Sequence, residues 1–349
     1  MRIATFHATL PQPGQKPGGV SVFVDRLADR LALRGHEVTV ASFSPAPPGR
    51  RYRHMRLRPH GFAHARLARL ALVPVLLHRM NRLDVDVIHL HGDDWFYLRR
   101  ARPTVRTFYG SALSEAVHAT RWKARANYWA TYPLETMASH AATAVYGIGP
   151  DSACLYRATG ILPLAVDRSA ANGTAREARP TVLFVGTWGD RKRGALLHEV
   201  FRRDVLPALP DARLWMVSDR CEPAEGVEWF PAPSDAELAD LYARAWVFCS
   251  PSTYEGFGIP YIEAMAHATP VIASLNPGSQ MILEGGRHGM IVEDEALGPA
   301  VARVLGDEGL RGRLGAAAWA RSQDFAWERA LDAHERAYRL AIARWGARA

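Results

Sequence analysis

Short apolar runs alternate along the chain with stretches whose apolar residues recur every three or four positions. In the first half, runs that predict strands lie at 1–6, 36–41, 86–91, 104–108 and 141–146. The periodic stretch after the first run predicts a helix over 20–34, which Gly35 ends. Strands that alternate with helices are typical of a mostly parallel sheet covered on both faces.

The second half repeats this pattern. Predicted strands lie at 181–186, 212–217, 227–230, 245–249, 271–274 and 290–292. Ser234 and Glu237 have the spacing of a capping box for a helix over 234–245. Residues 168–179 are small and polar, so we place the domain boundary there. We expect a first domain at 1–165, a second at 166–325 and a final helix at 326–349.

Residues 251–266 carry the most specific chemical signal. Glu255 and Glu263 stand eight positions apart around Gly256 and Gly258, and Pro260 marks a helix start. A strand–turn–helix order presents backbone N–H groups and a positive helix end at a sheet edge, which suits a phosphate. An ordinary loop with two solvated glutamates is the alternative interpretation.

This segment resembles the E-x7-E signature of the retaining family 4 glycosyltransferases, in the form P-S-x-x-E-G-F-G-x-P-x-x-E-A-M-A. The resemblance implies an α/β protein of the GT-B fold, with two facing Rossmann-like domains and a C-terminal helix crossing back to the N-terminal domain. It also implies a metal-independent enzyme without a cofactor. Such an enzyme moves a sugar from a nucleoside diphosphate sugar to an acceptor hydroxyl or amine, with retention of configuration. Small molecules, glycans and lipid-linked acceptors all stay open.

The resemblance also implies roles for the residues of this turn. Glu263 would hold the ribose diol of the donor, and Glu255 would hydrogen-bond the donor sugar and take part in catalysis. Gly256, Phe257 and Gly258 would bring their backbone close to the sugar and phosphate.

A second donor-binding stretch is expected at 186–194, the first strand–helix junction of the second half. The family has an arginine after the first glycine of this junction and a lysine before the last. By that spacing Thr187 replaces the arginine and Arg193 the lysine, with Lys192 as a second cation. Arg193 and Lys192 would stabilise the leaving diphosphate. A solvated basic loop is the alternative.

The resemblance also implies donor contacts from two residues of the first half. Gly19 resembles the second glycine of the family's amino-terminal pair, which approaches the diphosphate. Tyr109 stands where the family commonly has a histidine that contacts the donor sugar. Tyrosine donates and accepts hydrogen bonds but carries no cation near neutral pH. His118 is a second candidate for that role, although a surface histidine is the simpler interpretation.

A loose metal cluster is a weak alternative at the end of the predicted strand 86–91. His89 and His91 precede Asp93 and Asp94 there, but their spacing matches no common metal motif, so we expect no metal. The chain contains no P-loop or G-x-S-x-G pattern. A sugar phosphorylase and a nucleotide-sugar-binding pseudoenzyme that partners another glycosyltransferase are the rival hypotheses. Thr187 and Tyr109, which differ from the residues that the family has at these positions, motivate the pseudoenzyme hypothesis.

The charge is unevenly distributed. The chain has 349 residues, a net charge of +8 and a pI near 9.7. Residues 50–82 contain nine arginines, four histidines and no acidic residue. The sequence has no nucleic-acid-binding motif, so we expect no nucleic acid partner and consider peripheral contact of 50–82 with an anionic membrane.

Cysteine content and apolar runs bear on the compartment. The three cysteines are widely spaced, which is typical of neither a zinc site nor a disulfide framework. No apolar run reaches the ~20 residues of a membrane span, and the chain enters a predicted strand at once. We expect a cytoplasmic protein and consider a peripheral position at the inner membrane face.

Overall fold

A computed structural model describes residues 1–12, 18–57, 73, 75–119, 121–167 and 175–347. Two compact units divide the chain. The first combines Met1–Ala116, Lys123–Leu164 and Glu328–Ala349, and the second combines Val117–Trp122 and Ala165–Trp327. Each unit contains one parallel sheet.

The sheet of the first unit has seven strands in the order β3-β2-β1-β4-β5-β6-β7, and all pairs are parallel. The strands are β1 (Arg2–Phe6), β2 (Glu37–Ser42), β3 (Arg53–Arg56), β4 (Val87–Leu90), β5 (Thr104–Phe108), β6 (Ala144–Gly147) and β7 (Gly160–Ile161). The order reverses between β1 and β4, which is the arrangement of a doubly wound Rossmann-like sheet.

Helices join these strands. They are α1 (Gly19–Leu33), α2 (Ala112–His118), α3 (Trp122–Ala141) and α4 (Pro150–Leu155). Helix α1 buries Phe23, Val24, Leu27 and Leu31, so the helix predicted over 20–34 is confirmed. Strand β3 was not predicted, because it has a single apolar residue, Met55, among charged ones.

The sheet of the second unit has six parallel strands in the order β10-β9-β8-β11-β12-β13. The strands are β8 (Thr181–Val185), β9 (Arg213–Val217), β10 (Val227–Phe230), β11 (Val247–Ser250), β12 (Val271–Ser274) and β13 (Met290–Val292). The helices are α5 (Gly194–Val200), α6 (Asp235–Arg244), α7 (Ile259–Ala266), α8 (Pro277–Ile282), α9 (Leu297–Gly306) and α10 (Glu308–Ser322). A π-helical turn, Phe201–Val205, extends α5. The predicted capping box is confirmed at α6, where Ser234 and Glu237 exchange hydrogen bonds of 3.3 and 2.7 Å.

The C-terminal helix α11 (Trp327–Gly346) packs in the first unit from Glu328 onward. Tyr338 Oη lies 3.0 Å from His89 Nδ1 on β4, and Arg34 at the end of α1 forms ion pairs with Asp332 and Glu335. The two Rossmann-like sheets and the returning helix therefore agree with the expected fold class.

Candidate functional site

The turn between β11 and α7 depends on glycine. Gly258 has φ of +99° and caps α7, whose first turn includes Pro260. A Cβ on Gly258 would lie 2.3 Å from the Tyr261 ring, which no side chain tolerates. Gly278 on α8 packs just as closely, since a Cβ there would lie 2.4 Å from the Phe257 carbonyl. The turn that separates the two glutamates is therefore fixed from both sides.

Glu255 is a buried carboxylate held by two cations. It is 6% exposed and forms ion pairs with Lys192 and, at 3.1 Å, with Arg191. Burial alone would raise its pKa, but the charges of Lys192 and Arg191 hold the pKa below its ordinary value. Glu255 is thus ionised at neutral pH, with a positive pair beside it.

Glu263 lies half-buried inside α7, on the other side of the turn. Its Oε2 accepts a hydrogen bond of 2.9 Å from Tyr242 Oη on α6. This bond fixes the Glu263 carboxylate from the side of α6.

The three basic side chains at 191–193 point in different directions. Lys192 and Arg191 lie in a 3₁₀ turn and contact Glu255, whereas Arg193 has φ of 51°. The Arg193 guanidinium contacts both oxygens of Asp294, at 2.5 and 2.8 Å, and the Ser274 hydroxyl at 3.1 Å. The structure therefore brings Lys192, and not Arg193, to Glu255.

Hydrogen bonds connect this stretch to the glutamate turn. Arg191 Nη1 donates to the Tyr254 carbonyl at 2.8 Å, and its own carbonyl accepts from Thr253 N at 2.8 Å. Thr187, at the position of the family's arginine, donates to the Gly189 carbonyl at 3.1 Å. His118 stacks on the Tyr254 ring, with the ring centroids 4.9 Å apart, and both residues belong to the second unit.

In the first unit, Gly19 begins α1 after Gly18, and 13–17 lie outside the described residues. Tyr109 follows β5, and its Oη lies 2.6 Å from His91 Nδ1. Burial raises the pKa of Tyr109 and lowers that of His91. The phenol and the imidazole are therefore both neutral and share a hydrogen bond.

Asp94 belongs to a buried ion cluster that sequence reasoning missed. Its carboxylate pairs with Arg100 at 3.1 Å and Arg106 at 2.7 Å, and all three side chains are at most 4% exposed. Within the described ranges, no group of three His, Cys, Asp or Glu side chains is arranged to hold a metal. Each oxygen of the Asp94 carboxylate is thus in an ion pair with one of the two arginines.

Tyr242 and Asp294 are the contacts of the site that the sequence did not indicate. Tyr242 lies 21 positions before Glu263, and Asp294 lies 101 positions after Arg193. Neither pairing follows a helical or strand period, so only the folded chain reveals it.

Two family profiles match the chain. "Glycosyltransferase Family 4" matches residues 17–158 and "Glycosyl transferases group 1" matches residues 179–307. Each profile covers one half, and the second includes both Glu255 and Glu263. The chain belongs to the family 4 and group 1 glycosyltransferases.

Curated relatives of this glycosyltransferase include two kinds of inositol-related enzyme. It is 27% identical over 345 residues to the phosphatidyl-myo-inositol mannosyltransferase of Mycolicibacterium smegmatis, covering 89% of this chain and 87% of that protein. It is 32% identical over 128 residues to the D-inositol 3-phosphate glycosyltransferase of Gordonia bronchialis. That second alignment covers 36% of this chain and spans only 28% of the relative.

Solved structures agree on the fold. Sucrose-phosphate synthase from Thermosynechococcus elongatus matches with a TM-score of 0.80 at 20% identity, over 98% of this chain and 99% of that chain. Anabaena HepE in complex with UDP and glucose matches with a TM-score of 0.72 at 16% identity, over 96% and 98%. These likenesses establish the GT-B fold.

Proposed function

We propose that this glycosyltransferase uses a nucleoside diphosphate sugar and transfers the sugar to an acceptor hydroxyl with retention of configuration. One observation carries the proposal. Glu255 and Glu263 flank a glycine turn at the carboxyl edge of a parallel sheet, and Lys192 and Arg191 converge on Glu255. Ligands of open α/β sheets bind at this edge. The complex of HepE with UDP and glucose supports a nucleotide-linked donor.

The cations beside Glu255 can stabilise the charge of the leaving diphosphate. Breaking the bond between the sugar carbon and the diphosphate oxygen places negative charge on the diphosphate, and preorganised cations stabilise that charge. We assign this role to Lys192, with Arg191 as its neighbour. Arg193 was predicted to share the role, but its guanidinium is bound to Asp294. Its part in binding the diphosphate stays a prediction.

The proposed stereochemistry requires no enzyme nucleophile. The acceptor oxygen forms its bond to the sugar carbon on the face that the diphosphate leaves, and the departing phosphate takes the acceptor proton. Glu255 would remain ionised between its cations and hydrogen-bond the sugar. Tyr109, which is hydrogen-bonded to His91, would hydrogen-bond a hydroxyl of the donor sugar.

A polyol is the acceptor class that the relatives support. The relative with the longer alignment is named for phosphatidyl-myo-inositol, and the shorter one for D-inositol 3-phosphate. We therefore propose an inositol-like or lipid-linked hydroxyl as the acceptor.

We also propose that transfer needs no metal ion. Sugar transfer should therefore continue in the presence of the chelator EDTA, which a radiolabelled-sugar assay would measure.

The donor class is tested by thermal shift. Nucleoside diphosphates and their sugars that bind the folded protein should raise its melting temperature, with one base preferred. Glu263→Ala should abolish the shift, because it removes the proposed ribose contact. Glu199→Ala, at an exposed glutamate on α5, should keep it. No shift with any nucleotide on the wild type would contradict donor binding; nucleotide binding without transfer would favour the pseudoenzyme.

We also propose peripheral contact with an anionic membrane. Of the basic segment 50–82, residues 58–72 and 74 lie outside the described residues. In the described part, α3 carries Trp122 and Trp129, which are 73% and 49% exposed. Lys123 and Arg125 lie between them, and residues 116–134 contain no acid. Exposed tryptophans among cations are typical of a membrane-interface helix. None of the helices in the described ranges is long and apolar enough to span a bilayer.

Flotation with liposomes measures this contact. The protein should float with anionic phosphatidylglycerol liposomes at low salt and lose association as salt rises, because surface charges are screened. Trp122→Ala/Trp129→Ala should weaken flotation by about tenfold, which corresponds to roughly 1.4 kcal/mol of interfacial binding. Trp229→Ala, at a tryptophan of β10 that is as exposed as Trp129, should leave flotation unchanged. Absence of flotation at low salt would contradict the proposal.

A further inference from the structure

Tyr242 lies buried against Glu263 and gives its carboxylate a fixed hydrogen-bond donor. The Tyr242 side chain is 1% exposed, and its Oη is 2.9 Å from Glu263 Oε2. Burial raises the pKa of the phenol, and the neighbouring carboxylate adds to that shift. The hydroxyl therefore keeps its proton and remains a donor throughout the neutral range.

The Tyr242 ring has little freedom to turn. It packs against Phe248 of β11, with ring centroids 5.7 Å apart, and stacks on His267 at 6.2 Å and an interplanar angle of 12°. Phe248 is fully buried. Because the ring is confined on these sides, the position of Oη is set by packing.

Two further side chains fix the backbone of Tyr242. The Thr269 hydroxyl donates to the Tyr242 carbonyl at 2.6 Å and accepts from Arg176 Nη1 at 2.6 Å. The Arg176 guanidinium also lies 2.7 Å from each of the carbonyls of Ala245 and Ala268, which follow α6 and α7. A cation at the carboxyl ends of two helices is favourable with both helix dipoles. The helices that carry Tyr242 and Glu263 are thus tied to one another at the same ends.

We propose that Tyr242 is a positioning residue that orients the Glu263 carboxylate toward the two hydroxyls of the donor ribose. This inference rests on the proposed function of Glu263. The hydrogen bond from Tyr242 occupies one acceptor position on Oε2 and fixes the direction of the carboxylate. Because the carboxylate is already oriented, binding the ribose orders fewer torsions. Thr269 and Arg176 hold the donor of this bond in place.

The test compares two ligands that differ only in the diol. Calorimetry would measure binding of UDP and of 2′,3′-dideoxy-UDP, or of the guanine or adenine pair if the wild type prefers that base. Tyr242→Phe should weaken binding of the ribonucleotide by about tenfold, the usual scale for one hydrogen bond to a charged group. Binding of the dideoxynucleotide should change by less than about twofold, since no diol contacts Glu263.

A double-mutant cycle separates positioning from a general structural effect. In a Glu263→Gln background, Tyr242→Phe should cause no further loss, because the oriented carboxylate is already gone. Tyr338→Phe is the matched control: it removes another buried tyrosine hydroxyl, in the first unit, and should leave both affinities unchanged. Thr269→Val removes the hydroxyl bonded to the Tyr242 carbonyl, and should lower ribonucleotide affinity in the same selective way.

The outcomes are distinguishable. If Tyr242→Phe weakens binding of both ligands equally, or of neither, the positioning role is overturned while the proposed donor binding stands. A wild type that binds both ligands equally overturns the assignment of Glu263 to the ribose, and Tyr242 with it. A wild type that binds neither overturns the proposed donor as well. If Tyr242→Phe does not fold, the selective loss in Thr269→Val decides.

Discussion

Lys192→Ala is expected to lower kcat by about two to three orders of magnitude, the usual effect of removing one electrostatic contact to the developing charge. The loss has two physical sources. The variant lacks a cation for the leaving diphosphate, and buried Glu255 keeps only Arg191 as a charged partner. Sugar transfer from the donor identified by thermal shift is the measurement, with kcat and KM determined separately.

Arg193→Ala and Arg287→Ala are the controls for Lys192→Ala. Arg193 contacts Asp294, so its removal should reduce kcat far less than removal of Lys192. Arg287 is a surface residue whose side chain is 76% exposed, and its removal should leave kcat unchanged. Equal losses for Lys192→Ala and Arg193→Ala would instead support the role that spacing alone gives Arg193. Full activity of Lys192→Ala would contradict the proposed charge stabilisation.

Asp94→Ala is expected to destabilise the first unit by about 3–5 kcal/mol, the range for breaking a buried ion pair from one side. The substitution leaves Arg100 and Arg106 buried without their shared carboxylate. Arg100 keeps the Tyr97 carbonyl and the Thr104 hydroxyl as acceptors, but neither is charged. Urea unfolding followed by circular dichroism would measure the loss, fitted with separate transitions if the units unfold separately.

Asp332→Ala is the matched control, because it also breaks an aspartate–arginine pair. Asp332 pairs with Arg34, but its side chain is 53% exposed, and exposed pairs contribute little to stability. Asp94→Asn should retain part of the stability, since the amide oxygen still accepts one hydrogen bond. If Asp94→Ala lowers the free energy of unfolding by no more than Asp332→Ala does, the buried ion cluster does not stabilise the first unit.

The sequence predicts what is encoded locally. The capping box of Ser234 and Glu237, and the glycine turn with Pro260 after it, occupy a few consecutive positions whose backbone preferences are strong. Most strands also follow from apolar runs, because strands of a covered parallel sheet are buried on both faces. The edge strand Arg53–Arg56 does not, since it has charged residues at both ends and little to bury.

The direction of side chains at the site is not encoded locally. Spacing places Arg193 at the family's lysine position, yet its left-handed backbone turns the guanidinium toward Asp294 and leaves Lys192 at Glu255. Asp94 follows two histidines in sequence, but the fold surrounds it with arginines. In both cases the deciding partner comes from another element, so register and packing determine the contact.

The return of α11 to the first unit has a consequence for synthesis on the ribosome. The second unit is nearly contiguous, so all its strands have emerged by the time Trp327 is made. The strands of the first unit are made before those of the second, but the first unit lacks Tyr338 and Asp332 until α11 is translated. Domains usually fold in the order of their synthesis. Here the order of completion is reversed: the half that is translated first is the half that is finished last.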